Sequence, residues 1–293
     1  MLLLQRIISY FPFLLCINIH IYGQKVSGKL KFDQGKTLSI HMEIKTSVAQ
    51  QAMGNAIDFT ADGSAMHNYK VINATTDNTT LQHEAKKIAF TFEGMGQKRS
   101  FNSDLEKDMA GQFGGPVRNI LSKKFDVIID SNGKVLAAKP EKMDTVKADE
   151  RLAIVLNMLK DITDVAYAPQ KGDASFFKVL PLGETATGES WTDSLQNETG
   201  KFKTIYTLSA ILDSTIVIAF KGNASTISKA MMMGRATTTT MNSSSTGNIL
   251  LDKATGILKE KTIITESNGS TEAMGGTVPV TAKTTITIHV KPE

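Results

Sequence analysis

Apolar and polar residues alternate with a period of two over much of the chain, and this pattern limits what it can fold into. The clearest stretch is TLSIHMEIK, in which polar residues separate Leu38, Ile40, Met42 and Ile44. Successive side chains of a strand point to opposite faces, so the pattern predicts a strand with one buried face. Half-buried strands are typical of antiparallel sheets. We therefore expect a mainly β (α+β) fold in which one or two helices pack on a curved sheet.

The same alternation returns along the chain. It occurs in IAFTF (Ile88, Phe90, Phe92), YTLSAIL (Tyr206, Leu208, Ala210, Leu212), IVIAF (Ile216, Ile218, Phe220) and TTITIHV (Ile286, Ile288, Val290). Two turn sequences join such runs. Asn132 and Gly133 tolerate the positive φ angles of a tight hairpin turn, and DKATG ends a slightly longer turn at Gly256.

A helical period appears in ADERLAIVLNMLKDITDVA. Leu152, Val155, Leu156, Leu159 and Ile162 recur there at spacings of three and four residues, as expected for an amphipathic helix.

A second helix is predicted from SDLEKDM, where Ser103 and Glu106 have the spacing of a capping box. It should break at Gly114 and Gly115. It should restart with Pro116 at the first helical position, where the missing N–H of proline costs nothing.

The first 23 residues differ from the rest. Arg6 precedes an apolar run from Ile7 to Ile21, and small Gly23 follows, which predicts a signal peptide cleaved after Gly23. Cys16 is the only cysteine, and a lipid-modified Cys16 at the start of a lipoprotein is the alternative. Leu15 stands where that cleavage motif prefers Gly, Ala or Ser, so we favour cleavage after Gly23.

The order of these motifs predicts a duplicated antiparallel β-meander. We expect a signal peptide at 1–23, a first β unit at 24–145, a linker helix at 146–168 and a second β unit at 169–293. Residues 223–247 are rich in Ser, Thr, Asn and Gly, which predicts a strand or two around a mobile stretch.

Composition excludes several classes of protein. Apolar residues make up 41% and charged residues 21% of the 293, as in folded globular proteins rather than disordered chains or multi-span membrane proteins. The 33 basic and 29 acidic residues are dispersed, and the net charge of +4 is too weak for a nucleic-acid footprint. Nucleic acid is therefore not an expected partner.

No catalytic constellation appears. His41, His67, His83 and His289 have no His, Asp or Glu at metal-ligand spacing, and His41 and His289 fit surface positions of strands. We predict no catalytic residue, no cofactor and no bound metal.

Two residue groups nevertheless invite a functional interpretation. The acids Glu184, Glu189 and Asp193 surround the only tryptophan, Trp191, but the chain has few aromatic residues for a sugar platform. Met231–Met233 cannot converge on one ion from a single strand, so core or ligand-pocket lining is favoured over copper binding.

The stretch around Trp191 resembles a secreted Gram-negative bacterial family of unknown function. The matching residues are Leu180, Pro181, Gly188, Glu189, Ser190 and Trp191, followed by Tyr206 and Leu208 and by Asp252, Thr255 and Gly256. FDVIIDSNGKV, from Phe125 to Val135, resembles the first-half hairpin of that family. The resemblance implies export and a mainly β architecture, and it implies no reaction, substrate or catalytic residue.

Together these observations predict an exported protein that is periplasmic, outer-envelope-associated or secreted. The favoured role is non-catalytic binding of a lipid or other apolar ligand, or of a protein partner, because helices on a curved sheet form apolar cavities. A hydrolase and a structural surface or assembly protein are the alternatives. Trp191 is interpreted as architectural, at a position equivalent to Leu38, with its side chain pointing into the core.

Overall fold

Antiparallel strands make up most of the structure, as the period-two pattern predicts. The computed structural model describes residues 24–52, 55–94, 96–140, 155–232, 235–273 and 276–293. The predicted signal peptide at 1–23 and the first part of the predicted linker helix lie outside the described residues.

Most strands are long. In chain order the strands are β1 (Lys25–Ser27), β2 (Thr37–Ala52), β3 (Asn55–Ala74), β4 (Asn78–Gly94), β5 (Gln97–Asn102), β6 (Lys124–Asp130), β7 (Val135–Lys139), β8 (Glu184–Ala186), β9 (Ser190–Asn197), β10 (Gly200–Ile211), β11 (Thr215–Met232), β12 (Arg235–Asp252), β13 (Leu258–Ala273) and β14 (Gly276–Pro292).

One curved, open, twelve-stranded sheet contains all of these strands except two. Its order is β7-β6-β4-β3-β2-β14-β13-β12-β11-β10-β9, with β5 paired to the second half of β4. β1 and β8 form a separate two-stranded sheet. Strands from both predicted units therefore share one continuous sheet.

The helices are short. They are α1 (Glu106–Met109), α2 (Gly114–Leu121) and α3 (Lys160–Thr163), with one helical turn at 155–158 and a 3-10 turn at Asp164–Ala166. Among the described residues, no helix has both the length and the hydrophobicity required to cross a membrane. We call residues 155–166 the helical segment.

The predicted alternation decides which face of the sheet is buried. Leu38, Ile40, Met42 and Ile44 of β2 are all buried, and so are Ile286, Ile288 and Val290 of β14. β2 pairs with β14 so that Ile44 lies opposite Ile286 and Ile40 opposite Val290. We call this side of the sheet, on which the helical segment packs, the inner face.

A glycine on β3 lets the helical segment approach the sheet closely. A Cβ atom at Gly63 would lie 2.3 Å from Cδ2 of Leu159 and 3.1 Å from Cγ2 of Ile44. Leu159 and Ile162 are fully buried, at 0% exposure. The helical face predicted from their spacing is therefore the face that covers the sheet.

The predicted hairpins are confirmed. Gly133 (φ +80°) closes the β6–β7 turn, where the Asp130 carboxylate accepts hydrogen bonds from the N–H groups of Asn132 and Lys134. Gly256 (φ +72°) closes the β12–β13 turn, where the Asp252 carboxylate accepts the N–H of Thr255. Both acids therefore stabilise the turns.

The predicted capping box is wrong. α1 begins after Leu105, and no side chain caps it. The Ser103 hydroxyl instead accepts a hydrogen bond from the N–H of Ile88 on β4, because β5, which ends just before Ser103, is paired with β4. The predicted break at Gly114 is also wrong: α2 begins there, which places Pro116 third in the helix rather than first.

Within residues 223–247 the predicted strands are confirmed, and the described residues contain no mobile stretch; residues 233–234 lie outside the described residues. Residues 223–232 and 235–247 are continuous strand in β11 and β12, paired from Thr215↔Asp252 to Met232↔Arg235. Local composition predicts loop here, but pairing on both sides supplies the ladder hydrogen bonds. A bulge after Leu208 also changes the phase of β10, so predicted core residue Leu212 is 53% exposed.

Gly63→Ala should destabilise the protein because its methyl group would enter the packed space occupied by Leu159. Overpacking of this kind costs about 1–3 kcal/mol. The matched control is Gly115→Ala in α2, where a Cβ would meet nothing within 4 Å, so that this change should be neutral or slightly stabilising. Urea denaturation checks both, and equal midpoints would contradict the close approach.

Candidate binding surface

The inner face continues beyond the helical segment toward the hairpin ends as a surface of uncharged and mostly small residues. Strand register places three successive rows of side chains there. The rows are Thr204, Gly222, Ser245, Thr265, Thr284, Thr46, Ala61 and Phe92; then Phe202, Ala224, Ser243, Ser267, Ala282, Val48, Phe59 and Gly94; then Gly200, Thr226, Met241, Gly269, Val280, Gln50 and Ile57. None of these residues is charged. We call this surface the distal floor.

The opposite face of the same strands has a different chemistry. The row between the first two floor rows is Lys203, Asn223, Ser244, Glu266, Lys283, Ser47, Thr60, Glu93 and Lys98. Lys283 donates to Glu266 there at 2.9 Å. Over the strands from β10 to β4 the floor rows therefore carry no charge and the opposite row does; beyond these strands the first floor row continues to Asp193 on β9 and Arg99 on β5.

Hydroxyl groups on the distal floor bond to one another across the strands. Ser243 and Ser267 are 2.7 Å apart, Ser245 and Thr265 are 2.8 Å apart, and Thr46 and Thr284 are 3.1 Å apart. A polar group that already has a partner costs less to remove from water. The floor therefore tolerates an apolar cover better than its Ser and Thr content alone indicates.

Glycines keep the distal floor low where large side chains cross it. A Cβ at Gly94 would lie 2.4 Å from the Phe59 ring, and a Cβ at Gly269 would lie 2.9 Å from the sulfur of Met241. The larger side chain thus lies flat over the glycine of the neighbouring strand. The result is a smooth surface rather than a series of projecting side chains.

A shallow, open depression of about 560 Å³ crosses the central strands of this region. Val48, Phe59, Ser267 and Ala282 are the floor residues in its lining, and the other eight lining residues, which include Asp58, Glu266 and Lys283, belong to the opposite face.

Three aromatic rings border the floor beside the edge strand β9. Trp191 stacks on Tyr206 at 5.5 Å between ring centroids, and Tyr206 lies 5.9 Å from Phe220. Trp191 is partly buried and packs against the core. It thus lies on the core side of the sheet as expected, but unlike the buried Leu38 it stays partly accessible because no strand follows β9.

A lysine lies on the inner face close to the core. Lys261 of β13 has Ile249 and Ile288 as its Cα partners, and its Nζ lies 5.6 Å from the ring centroid of Phe220. Burial lowers the pKa of Lys261, and the charge of Asp161 in α3 opposes that shift. Burial raises the pKa of Asp161, and the nearby Asp164 raises it further.

Two histidines for which the sequence indicated no partner are fully buried and bonded to each other. Nδ1 of His67 lies 3.1 Å from Nε2 of His83, and Nε2 of His67 lies 3.0 Å from the Ile162 carbonyl. His67 must donate to that carbonyl, so its Nδ1 accepts the N–H of His83. Nδ1 of His83 has no hydrogen-bond partner within the described part of the chain.

The histidine pair connects two strands to the helical segment. His83 stacks on Phe125 at 4.5 Å, and Tyr69 lies 4.8 Å from it. Burial is the main cause that lowers the pKa of His67 to about 4 and that of His83 to about 3. Both rings have 0% exposure and are neutral structural groups.

The remaining sequence candidates do not converge. Glu189 accepts a hydrogen bond from the N–H of Ala186 and closes a turn, while Glu184 forms an exposed ion pair with Lys25. Asp193 lies on β9 with Thr204 of β10 as its Cα partner. Within the described ranges, no group of three or more His, Cys, Asp or Glu side chains could hold a metal ion.

The fold and this surface define the chain as a curved, open antiparallel sheet whose inner face includes an uncharged floor. The chain belongs to the family of unknown function DUF6263, which it matches over residues 76–258. No curated protein matches the sequence.

Solved structures show remote similarities. A lipovitellin structure, titled for its lipid–protein interactions, aligns over 90% of this chain and 26% of its own, at 10% identity and a TM-score of 0.46. The chain thus spans about a quarter of that lipovitellin chain. An outer membrane channel from Pseudomonas putida F1 aligns over 90% and 98% at 7% identity and a TM-score of 0.21. OpdQ from Pseudomonas aeruginosa aligns over 87% and 99% at 6% identity and a TM-score of 0.23.

Acid should destabilise the fold through the histidine pair. Unfolded histidine has a pKa of about 6.5, so between about pH 6.5 and 4 the unfolded chain binds protons that folded His67 and His83 exclude. Stability therefore falls as pH is lowered through this window, on the order of 2 kcal/mol per histidine at pH 5. Urea denaturation at a series of pH values measures this slope.

His83→Phe is the variant that tests the assignment, since a phenyl ring preserves the stacking on Phe125 and removes one titrating group. Its stability should depend less steeply on pH than that of the unmodified protein. His289→Phe serves as the control because His289 is partly exposed beside Glu260. An unchanged slope in His83→Phe would contradict the buried neutral pair.

Proposed function

We propose that this protein is a non-catalytic binding protein that holds an apolar ligand on the distal floor. The observation that carries the proposal is the separation of charge between the two faces of the same strands. From β10 to the ends of the rows on β3 and β4 all three floor rows are uncharged, while the alternate row on the opposite face of the same strands carries four charged residues: Lys203, Glu266, Lys283 and Glu93.

The size of the floor fits a lipid-sized ligand. Eight strands at about 4.8 Å spacing and three rows along them give a surface of roughly 500 Å². Covering about 200 Å² of apolar ligand surface would contribute about 5 kcal/mol before the costs of association are subtracted. The floor residues are half-buried, apart from Thr46, Ala61, Gly94, Gly222 and Val280, which are buried. A partly accessible uncharged surface of this extent is typical of a place where another molecule binds.

The proposed location follows from the first 23 residues. Their single charge, apolar run and small final residue support export to the periplasm, the outer envelope or the medium. A binding protein at such a location would meet lipids and other poorly soluble molecules, which fits an uncharged binding surface.

Native mass spectrometry of the mature protein, purified from its own envelope, tests both the proposed ligand binding and the proposed export. A co-purified apolar molecule would support the ligand, and the protein mass would distinguish cleavage after Gly23 from a lipid-modified Cys16. A clean, unliganded mass in several preparations would contradict the binding function.

A charge on the distal floor should abolish binding of a neutral apolar probe. Ser267→Lys would place an ammonium on the floor, which an apolar ligand could cover only by removing it from water. We expect N-phenyl-1-naphthylamine fluorescence to report at least about a tenfold loss of affinity, equivalent to about 1.4 kcal/mol.

Asn268→Lys provides the matched control, because Asn268 is the next residue on β13 and points to the opposite face. It should bind the probe within about twofold of the unmodified protein. Circular dichroism would verify that both variants fold. Equal losses in the two variants would show that the probe does not use the distal floor.

A further inference from the structure

Lys261 is a cation placed among apolar side chains on the inner face of the sheet, next to the uncharged rows of the distal floor. Its Cα partners are Ile249 and Ile288, and the Phe220 ring lies beneath its ammonium. Phe220 itself lies over Gly247, where a Cβ would be 2.6 Å from its ring. The ammonium is thus held at the end of the distal floor nearest the helical segment.

The ammonium of Lys261 lacks an ion-pair partner within the described ranges. No carboxylate of those residues lies within 4.0 Å of it, in contrast to Lys283 on the opposite face, which reaches Glu266 at 2.9 Å. Asp161 raises the pKa of Lys261 by its charge alone. A cation that is removed from water and unpaired is costly, and an anion brought close to it would offset that cost.

The path from Lys261 leads directly along the floor. β13 continues from Lys261 through Ile263, Thr265 and Ser267 to Gly269, all on the inner face. At about 3.4 Å per residue this path is roughly 27 Å long. This path begins at a charged group and continues over an uncharged surface. An amphiphile has the same order, with a charged head group followed by an apolar chain.

We propose that Lys261 binds the acidic head group of a single-chain amphiphile, a long-chain carboxylate, whose apolar chain lies along β13 on the distal floor. This inference rests on the proposed function and names the class of its ligand. Lys261 donates N–H groups to the carboxylate, and the Phe220 ring holds the ammonium in place. Asp161 weakens the same interaction because its charge repels the carboxylate.

Paired calorimetric titrations with dodecanoate and dodecanol test the proposal, since the two differ only in the head group. Lys261→Met keeps the length of the side chain and removes its charge. It should weaken dodecanoate binding about tenfold to a hundredfold, as expected for a charge-assisted hydrogen bond, and leave dodecanol binding within about twofold. Lys261→Arg should retain dodecanoate binding.

Two further variants provide the controls. Lys221→Met removes an exposed lysine on the opposite face, next to Phe220 in sequence, and should bind dodecanoate normally. Asp161→Asn should bind dodecanoate more tightly, because it removes the opposing charge. Dodecanoate binding that is unchanged in Lys261→Met would overturn the head-group assignment.

The outcomes distinguish this inference from the proposed function. In one outcome the unmodified protein binds dodecanol, and Lys261→Met binds dodecanoate as tightly as the unmodified protein does. The proposed function of the distal floor then stands, and the proposed role of Lys261 is wrong. If the unmodified protein binds neither molecule, the proposed function itself fails, and the head-group assignment fails with it.

Discussion

The pairing of β2 with β14 joins two groups of strands that are far apart in the sequence. On one side of this pair the order runs outward through β3, β4, β6 and β7, and on the other side through β13, β12, β11, β10 and β9. Thirteen paired positions, from Val280↔Gln50 to Pro292↔Leu38, set the register. Because a shift of one residue would turn every side chain to the other face, this register decides both the core and the distal floor.

The inner face of the sheet carries the core at one end and the distal floor at the other. Near the helical segment the inner face carries Ile, Leu, Val and Phe, and Gly63 lets Leu159 pack against it. Farther along the same strands these residues give way to Ser, Thr, Ala and Gly. The change in side-chain size, rather than a change of strand, marks where the core ends and the proposed binding surface begins.

The strands and turns near the core could be predicted from sequence because their signals are local. Alternation identified the buried residues of β2 and β14, and Gly133 and Gly256 identified two turns. The long pairing of β11 with β12 could not be predicted, because Ser and Thr favour loops unless neighbouring strands bind them. His67 and His83 were missed because they meet across β3 and β4, where a bulge between Met66 and His67 alters the register.

The proposed site was also hidden from sequence analysis, for a related reason. A second bulge, between Leu250 and Leu251, shifts the register with β13, so Leu258 and Lys261 both point inward although they are three residues apart. The distal floor contains no motif, and its identity depends on eight strands in register. Trp191, whose acidic neighbours invited a functional interpretation, is instead a stacked residue at the border of the sheet.

A floor made of small side chains has consequences for its topography. Ser, Ala and Gly side chains extend only a short distance above the backbone, and Phe59 and Phe220 lie flat over glycines rather than standing upright. A molecule on this floor would therefore lie almost against the peptide planes, with its depth fixed by the pleat of the sheet. The relief of the surface is set by eight strands together, so a larger side chain stays low only where a glycine of the neighbouring strand lies beneath it, as Gly94 does beneath Phe59.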